Sequence, residues 1–340
     1  MSGTDTEALP VRRARQRIHP IIKGAAQIVV GLGALGYLLS KSNSRQLLNA
    51  LHSTRLAYLP VALAATAGVY LLMAFRWKLI LSARTSKLSV TELFNYYLIG
   101  QFFSNFVPGG SISVDVVRTV YADRKLKDKP FIVTTLLYDR LIGLVVLLVL
   151  GLAAAIASRT FLPDGALLHL TEAVLALLLV ISAFLMSELI SNKLAGTVTF
   201  LSRKMRVERL GRGVVNALES MSEIRGRKSI IFWTVVISVF SRVLWTLAFY
   251  MVALAMSLPV GLVLIFAFTS VVDLVRQLPI APNGLGLREG LLVLFLGEAG
   301  IPKEQALMFS LLSFASVLLL ALAGGVLYTL RSRLRDELKA

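Results

Sequence analysis

Six stretches of the chain, at about 21–40, 58–75, 130–157, 169–190, 229–256 and 305–330, stay apolar for about 18–28 residues each. A helix rises about 1.5 Å per residue, so each run is long enough to cross a hydrocarbon core ~30 Å thick. A chain with this many spanning runs is solved by lipid, and its spans must be helices because only helices and closed barrels satisfy every backbone group there. Composition agrees. Of 340 residues 56% are hydrophobic and 16% charged, where soluble domains hold ~45–50% and ~25%. The fold class expected is all-α and polytopic.

Two further apolar stretches, 93–120 and 260–298, are interrupted by proline and glycine. The first carries Asn105, Pro108, Gly109 and Gly110, followed by Asp115 and Arg118; the second carries Pro282, Asn283 and Gly284, followed by Arg288 and Glu289. Pro108, Gly110 and Asp115 are spaced as Pro282, Gly284 and Glu289 are, by two residues and then five. Proline removes an amide donor and glycine permits tight turns, so a helix breaks at such a place. Broken backbone at membrane depth survives only inside protein or beside a water-filled cavity. Paired breaks in two halves of a chain are a transporter pattern. The expectation is about six full spans plus two re-entrant hairpins in inverted-topology repeats, one at about 58–157 and one at about 229–330. Each break is expected to present a helix N-terminus with free amides to an anionic group.

Charge sets the orientation. With the N-terminus inside, the segments 1–23, 76–129, 191–228 and 331–340 hold 27 Lys and Arg, and the outside segments hold 5. The positive-inside rule then places both termini in the cytoplasm of a multi-pass cell-membrane protein. The first twenty residues read as a basic disordered tail without a cleavable signal, 21–332 as one transmembrane domain, and 333–340 as a C-terminal tail. Between the halves, Val207, Leu210, Val214, Val215 and Leu218 recur at near-helical spacing in the basic loop 191–228, as in an amphipathic helix on the cytoplasmic surface. Residues 46–57 read as a short interfacial helix outside.

The net charge of +17 would suggest nucleic acid in a soluble protein; beside these spans it points to anionic lipid headgroups instead. There is no cysteine, and the three histidines, His19, His52 and His169, are far apart, so neither a metal nor another cofactor is expected. Charges inside spans cost roughly 2.5–3.5 kcal/mol each on insertion scales and need partners or a wet cavity. The candidates are Asp139 and Arg140, Arg242, Asp273 and Arg276, and Arg288 with Glu289. Asp139 and Arg140 point about 100° apart on a helix and are not an ideal pair with each other, so Asp139 or Arg140 should bond another helix; Asp273–Arg276 and Asp115–Arg118 are i,i+3 and can pair. Arg140, Arg242, Arg276 and Arg288, if they converge, would bind a phosphate through bidentate forks.

Three segments together resemble a known family: Gly100 to Gly110 (GQFFSNFVPGG) with Asp115-Val116-Val117-Arg118, then Tyr138-Asp139-Arg140-Leu141-Ile142-Gly143, then Leu278 to Gly290 (LPIAPNGLGLREG). They are similar to the lysylphosphatidylglycerol synthase transmembrane region, a flippase-like family also found as stand-alone membrane proteins, and the likeness runs from about 20 to 332. The resemblance implies lipid translocation, in two-domain members of an aminoacylated phospholipid made by a soluble synthase domain. Two departures stand out. Ser113-Val114 replace the Gly-Gly often found before Asp115, and the sequence to Ala340 holds no synthase domain, so lysyl transfer is not expected.

The function expected is therefore a lipid flippase for an anionic or phosphate-bearing lipid, not an enzyme. Its partners would be membrane lipids, a second copy of the chain in a homo-oligomer, and a separate lipid-synthesising enzyme. No G-x-x-x-x-G-K-[S/T] motif is present, so transport would be passive or ion-driven, with Asp115, Asp139, Asp273 and Glu289 as acids able to carry a proton. A membrane scaffold and an intramembrane lipid-modifying enzyme are the alternatives.

Overall fold

The computed structural model describes residues 29–107, 110–160, 166–186, 226–278 and 280–337. Pro108 and Gly109, the tail 1–20 and the amphipathic helix expected around Val207–Leu218 lie outside the described residues. Among the described residues the secondary structure is helical, with no strand.

Local chemistry explains where the helices start and stop. Helix α1 (Val29–Ser40) leads to α2 (Ser44–His52), whose N-cap Asn43 accepts from the amides of Arg45 and Gln46. The short helix expected over 46–57 thus begins two residues earlier and ends five earlier. A 3-10 turn, Leu56–Tyr58, runs into α3 (Leu59–Leu81), which has Pro60 in its first turn, where the missing amide costs nothing. Helix α4 (Val90–Phe106) opens with a capping box: the Glu92 amide donates to Ser89 Oγ and the Ser89 amide to Glu92 Oε2. Helix α5 (Ser111–Leu126) ends at Lys127 in the left-handed region. Helix α6 (Lys129–Ser158) starts at Asp128, whose carboxylate accepts from the Phe131 amide. There follow α7 (Ala166–Met186), α8 (Lys228–Ala255), α9 (Leu262–Arg276), a 3-10 turn at Pro282–Gly284, α10 (Leu287–Glu298) and α11 (Lys303–Glu337).

Four helical segments are long and apolar enough to cross a membrane: Leu56–Leu81, Lys129–Ser158, Lys228–Ala255 and Lys303–Arg331. They match four of the six expected runs. The described parts of the other two, Val29–Ser40 and Ala166–Ser182, are shorter apolar helices. Polarity is arranged inside out. Thr134, Thr135, Asp139, Thr234, Ser238 and Arg242 are buried, whereas Leu71, Phe75, Leu137, Val149, Phe240 and Leu319 on the same helices or their neighbours are exposed. That is the arrangement of a protein whose solvent is lipid, where apolar side chains face out and polar groups must be satisfied within.

The same order of elements occurs twice. A long helix (α3, α8) leads to a short one (α4, α9), a break, a second short helix (α5, α10) and a long closing helix (α6, α11). The two leading helices pack on each other, α3 along α8. The first short helix of each half then packs on the closing helix of the other half: α4 on α11 and α9 on α6. Glycine makes both of these exchanged contacts possible. A Cβ on Gly324 of α11 would fall onto the Leu98 carbonyl of α4, and a Cβ on Gly151 of α6 would come within 2.7 Å of the Ser270 side chain of α9.

Two expectations are corrected. The span expected to stop at residue 75 continues as helix to Leu81, so Arg76 lies inside it and is buried; Arg118 of α5 is buried as well. Both had counted as cytoplasmic charges. The equal spacing of the two breaks does not become equal position either. Gly110 caps α5, five residues before Asp115, but Gly286 caps α10, only three before Glu289. Ser113 and Val114 fall within the first turn of α5, the Ser113 amide donating to the Gly110 carbonyl and Val114 buried against Gly100.

The glycine contacts yield a test. Gly324→Val should destabilise the protein by about 1–3 kcal/mol or more through overpacking, seen as a lower thermal midpoint of the detergent-purified protein. Gly290→Ala, with nothing within 4 Å of its new Cβ, should leave the midpoint unchanged or raised. Equal midpoints for both variants would contradict the close α4–α11 approach.

Candidate functional site

A cavity of about 260 Å³ lies between the two halves. Its lining includes Tyr70 and Arg76 of α3, Gln101 and Ser104 of α4, Ser111 of α5, Asp139 and Arg140 of α6, Ser238, Arg242 and Trp245 of α8, Asp273 and Arg276 of α9, and Asn283 of the second break. Six helices and one break thus bring charged and polar side chains to one space, which Val69, Met73, Val114, Leu144 and Leu147 line as well.

On one side the charges centre on Asp139. Its Oδ1 accepts from Arg76 Nε at 2.6 Å, and its Oδ2 from Arg118 Nη2 at 3.2 Å and the Tyr97 hydroxyl at 3.3 Å. Arg76 also donates to Ser238 Oγ of α8 at 2.9 Å. Arg118 is sandwiched, its guanidinium 4.1 Å from the ring centres of both Trp77 and Tyr97, so aromatic faces replace part of its lost hydration. It donates as well to Asp115 at 3.3 Å. Asp115 forms a second ion pair, with Arg140 Nε, and Arg140 Nη2 donates to the Ser111 carbonyl at 2.8 Å. Asp139 and Arg140 thus bond different partners on other helices, as their angular separation requires.

On the other side the centre is Asp273. Arg242 Nη1 pairs with its Oδ2, and Arg276 Nη1 with its Oδ1 at 3.0 Å. Arg242 also donates to Thr269 Oγ1 and Ser270 Oγ, both at 3.1 Å. Arg276 reaches the second break, donating from Nε and Nη2 to Asn283 Oδ1 at 3.2 and 2.7 Å. Asn283 Nδ2 then donates to Asn105 Oδ1 at 2.7 Å, and Asn105 Nδ2 to the Gln101 carbonyl at 2.7 Å. The second break therefore touches the last turn of α4, just before the first break, through a pair of asparagines. Asn283 holds a positive φ of 46° there, a conformation asparagine tolerates better than most residues.

Five guanidiniums (Arg76, Arg118, Arg140, Arg242, Arg276) stand against three carboxylates (Asp115, Asp139, Asp273). Three buried donors around the cavity have no protein partner: Ser111 Oγ, Arg242 Nε and Trp245 Nε1. Arginine is the side chain suited to this task, because its fork can hold a carboxylate on one edge and a second acceptor on another.

Of the sequence candidates, Asn105, Asp115, Arg118, Asp139, Arg140, Arg242, Asp273, Arg276 and Asn283 belong to these connected networks. Gly110 caps α5, Gly284 has φ 72° with its Cα against the Arg276 side chain, and Pro282 is buried in the second break. Arg288 and Glu289 do not join. They pair with each other, Arg288 stacks 4.1 Å over Phe314 of α11, and Glu289 Oε2 accepts from the Gly286 amide at 2.7 Å. Neither lines the cavity. The expected convergence of four arginines thus loses Arg288, and the expected free N-terminus at the second break is capped by Glu289. Arg76 takes the vacant place. Its sequence signal is a charge next to Trp77, with apolar residues resuming at Leu79–Leu81 after Lys78.

Removing one centre tests how the networks are held. Asp139→Asn leaves Arg76 and Arg118 without their shared countercharge, and breaking a buried pair costs about 3–5 kcal/mol. The variant should lose most of its folded yield in detergent, while Glu92→Gln, at the exposed Lys125 pair, should shift stability by no more than ~1 kcal/mol. Normal yield and thermal midpoint for Asp139→Asn would overturn the central role of this carboxylate.

Comparison with known proteins agrees with the architecture. Residues 24–325 match the family model of the lysylphosphatidylglycerol synthase TM region. A UPF0104 membrane protein of Methanothermobacter thermautotrophicus is 26% identical over 303 residues, covering 82% of this chain and 86% of that protein. With its apolar spans and its polar interior, the chain is a multi-pass membrane protein of the lysylphosphatidylglycerol synthase transmembrane-region family.

Proposed function

We propose that this protein translocates a phosphate-bearing, anionic lipid across the bilayer, and that it does so by binding and conformational change without covalent chemistry. In this reading the two halves are inverted-topology repeats, α4–α5 and α9–α10 are re-entrant hairpins entering from opposite faces, six helices span fully, and both termini are cytoplasmic. The headgroup occupies the cavity between the hairpins and the acyl chains stay in the bilayer.

One observation carries the proposal. At the place where the second break meets the last turn of α4, a cavity is lined by arginines that outnumber their carboxylates and by donors that have no protein partner. A surplus of buried positive charge in a low-dielectric bundle needs a counterion, and a headgroup phosphate is the anion that a membrane supplies. The geometry favours reversible binding, since the guanidiniums are already positioned by Asp115, Asp139 and Asp273 and need little rearrangement to receive a phosphate. The family supports a lipid-related role: the matched model is named for a lipid synthase's membrane region.

Reconstitution tests it. Purified protein in liposomes containing headgroup-labelled lipids should accelerate the movement of anionic phospholipid between leaflets, read by reduction of the label with a membrane-impermeant reagent. Arg276→Gln, which removes a cavity cation and loosens the second break, should slow that movement by about tenfold or more, the effect of losing ~1.4 kcal/mol of headgroup binding. Protein-dependent movement that Arg276→Gln leaves intact, or none for any phosphate-bearing lipid with folded protein, would overturn the proposal.

A further inference from the structure

The charges around the cavity also limit what kind of phosphate fits, an inference that rests on the reading of this cavity as a headgroup site. Each oxygen of the three carboxylates is already engaged. Asp115 Oδ1 and Oδ2 accept from Arg118 and Arg140, Asp139 Oδ1 and Oδ2 from Arg76 and Arg118, and Asp273 Oδ1 and Oδ2 from Arg276 and Arg242. No carboxylate oxygen is left without a guanidinium, so the cavity has no anionic place for an ammonium. Among the side chains that line the cavity, the buried polar atoms without a protein partner are Ser111 Oγ, Arg242 Nε and Trp245 Nε1; Arg118 Nε, just behind it, has none either. Two of these cavity atoms, Arg242 Nε and Trp245 Nε1, can only donate, and five guanidiniums against three carboxylates leave two positive charges.

We infer that the cavity is built for a doubly charged phosphate, a phosphomonoester or the terminal group of a diphosphate, and that it discriminates against headgroups carrying an ammonium. A dianion neutralises the surplus; a phosphodiester leaves one charge uncompensated; a phosphocholine or an aminoacylated headgroup brings further positive charge next to arginines. In a bundle of low dielectric each uncompensated charge is costly. The selectivity is thus a difference of electrostatic energies, made as much by what the cavity repels as by what it holds. Of the cavity's arginines, Arg140 is the natural one to alter, since 33% of its side chain is exposed and it sits at the edge of its network. Arg140→Gln reduces the surplus from two charges to one, which matches a phosphodiester.

The test uses the full-length protein in detergent, with binding read by thermal shift and by native mass spectrometry. The probes are phosphatidic acid, phosphatidylglycerol, phosphatidylcholine and lysyl-phosphatidylglycerol of one acyl composition, together with inorganic phosphate. Phosphatidic acid should bind about tenfold or more tighter than phosphatidylglycerol at pH ~8, with the two ammonium-bearing lipids weaker still. Lowering the pH to ~5, through the second phosphate ionisation near ~6, should bring phosphatidic acid toward phosphatidylglycerol and leave phosphatidylglycerol unmoved. Arg140→Gln should erase most of that preference, and Arg140→Lys should keep it. Inorganic phosphate binding as tightly as phosphatidic acid supports the charge assignment with a soluble source; much weaker binding supports it with a lipid one. Equal affinity for all four lipids, or tightest binding of the lysyl lipid, overturns the inference while leaving translocation standing. Selective binding of the dianion without any movement between leaflets overturns translocation and leaves the charge assignment standing.

Discussion

A single carboxylate, Asp139, ties together more of the first half than any other side chain. It lies about ten residues into a long apolar helix, where an unpaired charge would be strongly unfavourable. Two arginines from two other helices resolve this, Arg76 from α3 and Arg118 from α5. Each brings its own constraint. Arg76 continues to Ser238 of α8 and so joins the halves; Arg118 is clamped between Trp77 and Tyr97 and continues to Asp115, hence to Arg140. Helix α5, which packs on α4 through Val114 and Ala122, is thereby also fixed at the cavity by ion pairs. Buried networks of this kind are weak evidence for stability as such. Their effect here is positional: they set guanidiniums around one space.

The second half solves the same problem with different residues. Arg242, like Arg76, is a buried arginine on the leading helix of its half, but it lies thirteen residues from the end of α8 where Arg76 lies five from the end of α3, and its acid, Asp273, is on the first short helix and not on the closing one. The exchanged packing, α4 on α11 and α9 on α6, is common to both halves. The wiring of charges is not. The backbone plan is therefore closer to two-fold than the chemistry, and the cavity is lopsided: one side has two carboxylates and three arginines, the other has one carboxylate, two arginines and the asparagine of the break.

The apolar runs, the two breaks and the i,i+3 ion pairs were legible in the sequence, because each depends on local spacing. Gly100, Gly151 and Gly324 were not, since a glycine that admits a neighbouring helix looks the same in sequence as any other. Arg76 was missed for a specific reason. Ending the span at its first charge makes the residue a cytoplasmic one, although Leu79, Ile80 and Leu81 continue the run beyond it. Arg288 was misplaced for the opposite reason. A charge beside a break reads as part of the site, and only three dimensions reveal that Phe314 and Glu289 hold it away from the cavity. Sequence position gives depth in a span; it does not give the face on which a charge is satisfied.

If the cavity takes a lipid headgroup as proposed, the contact between the second break and the end of α4 would couple its binding to the position of the breaks. Asn283 keeps its left-handed backbone while its carbonyl oxygen takes two N–H groups from Arg276 and its amide donates to Asn105. A neutral amide oxygen is a weaker acceptor than a charged phosphate oxygen. A phosphate entering the cavity competes with Asn283 for Arg276, and each N–H it takes weakens the support for the strained asparagine and for its bond to Asn105. A ligand shifts a conformational equilibrium only by its difference in affinity between the states. Here that difference has a location. In that proposed cycle, the state with Asn283 joined to Asn105 satisfies Arg276 with protein, a state with the breaks apart would leave Arg276 to the headgroup, and the phosphate–guanidinium bond, stronger than the amide one, would drive the change.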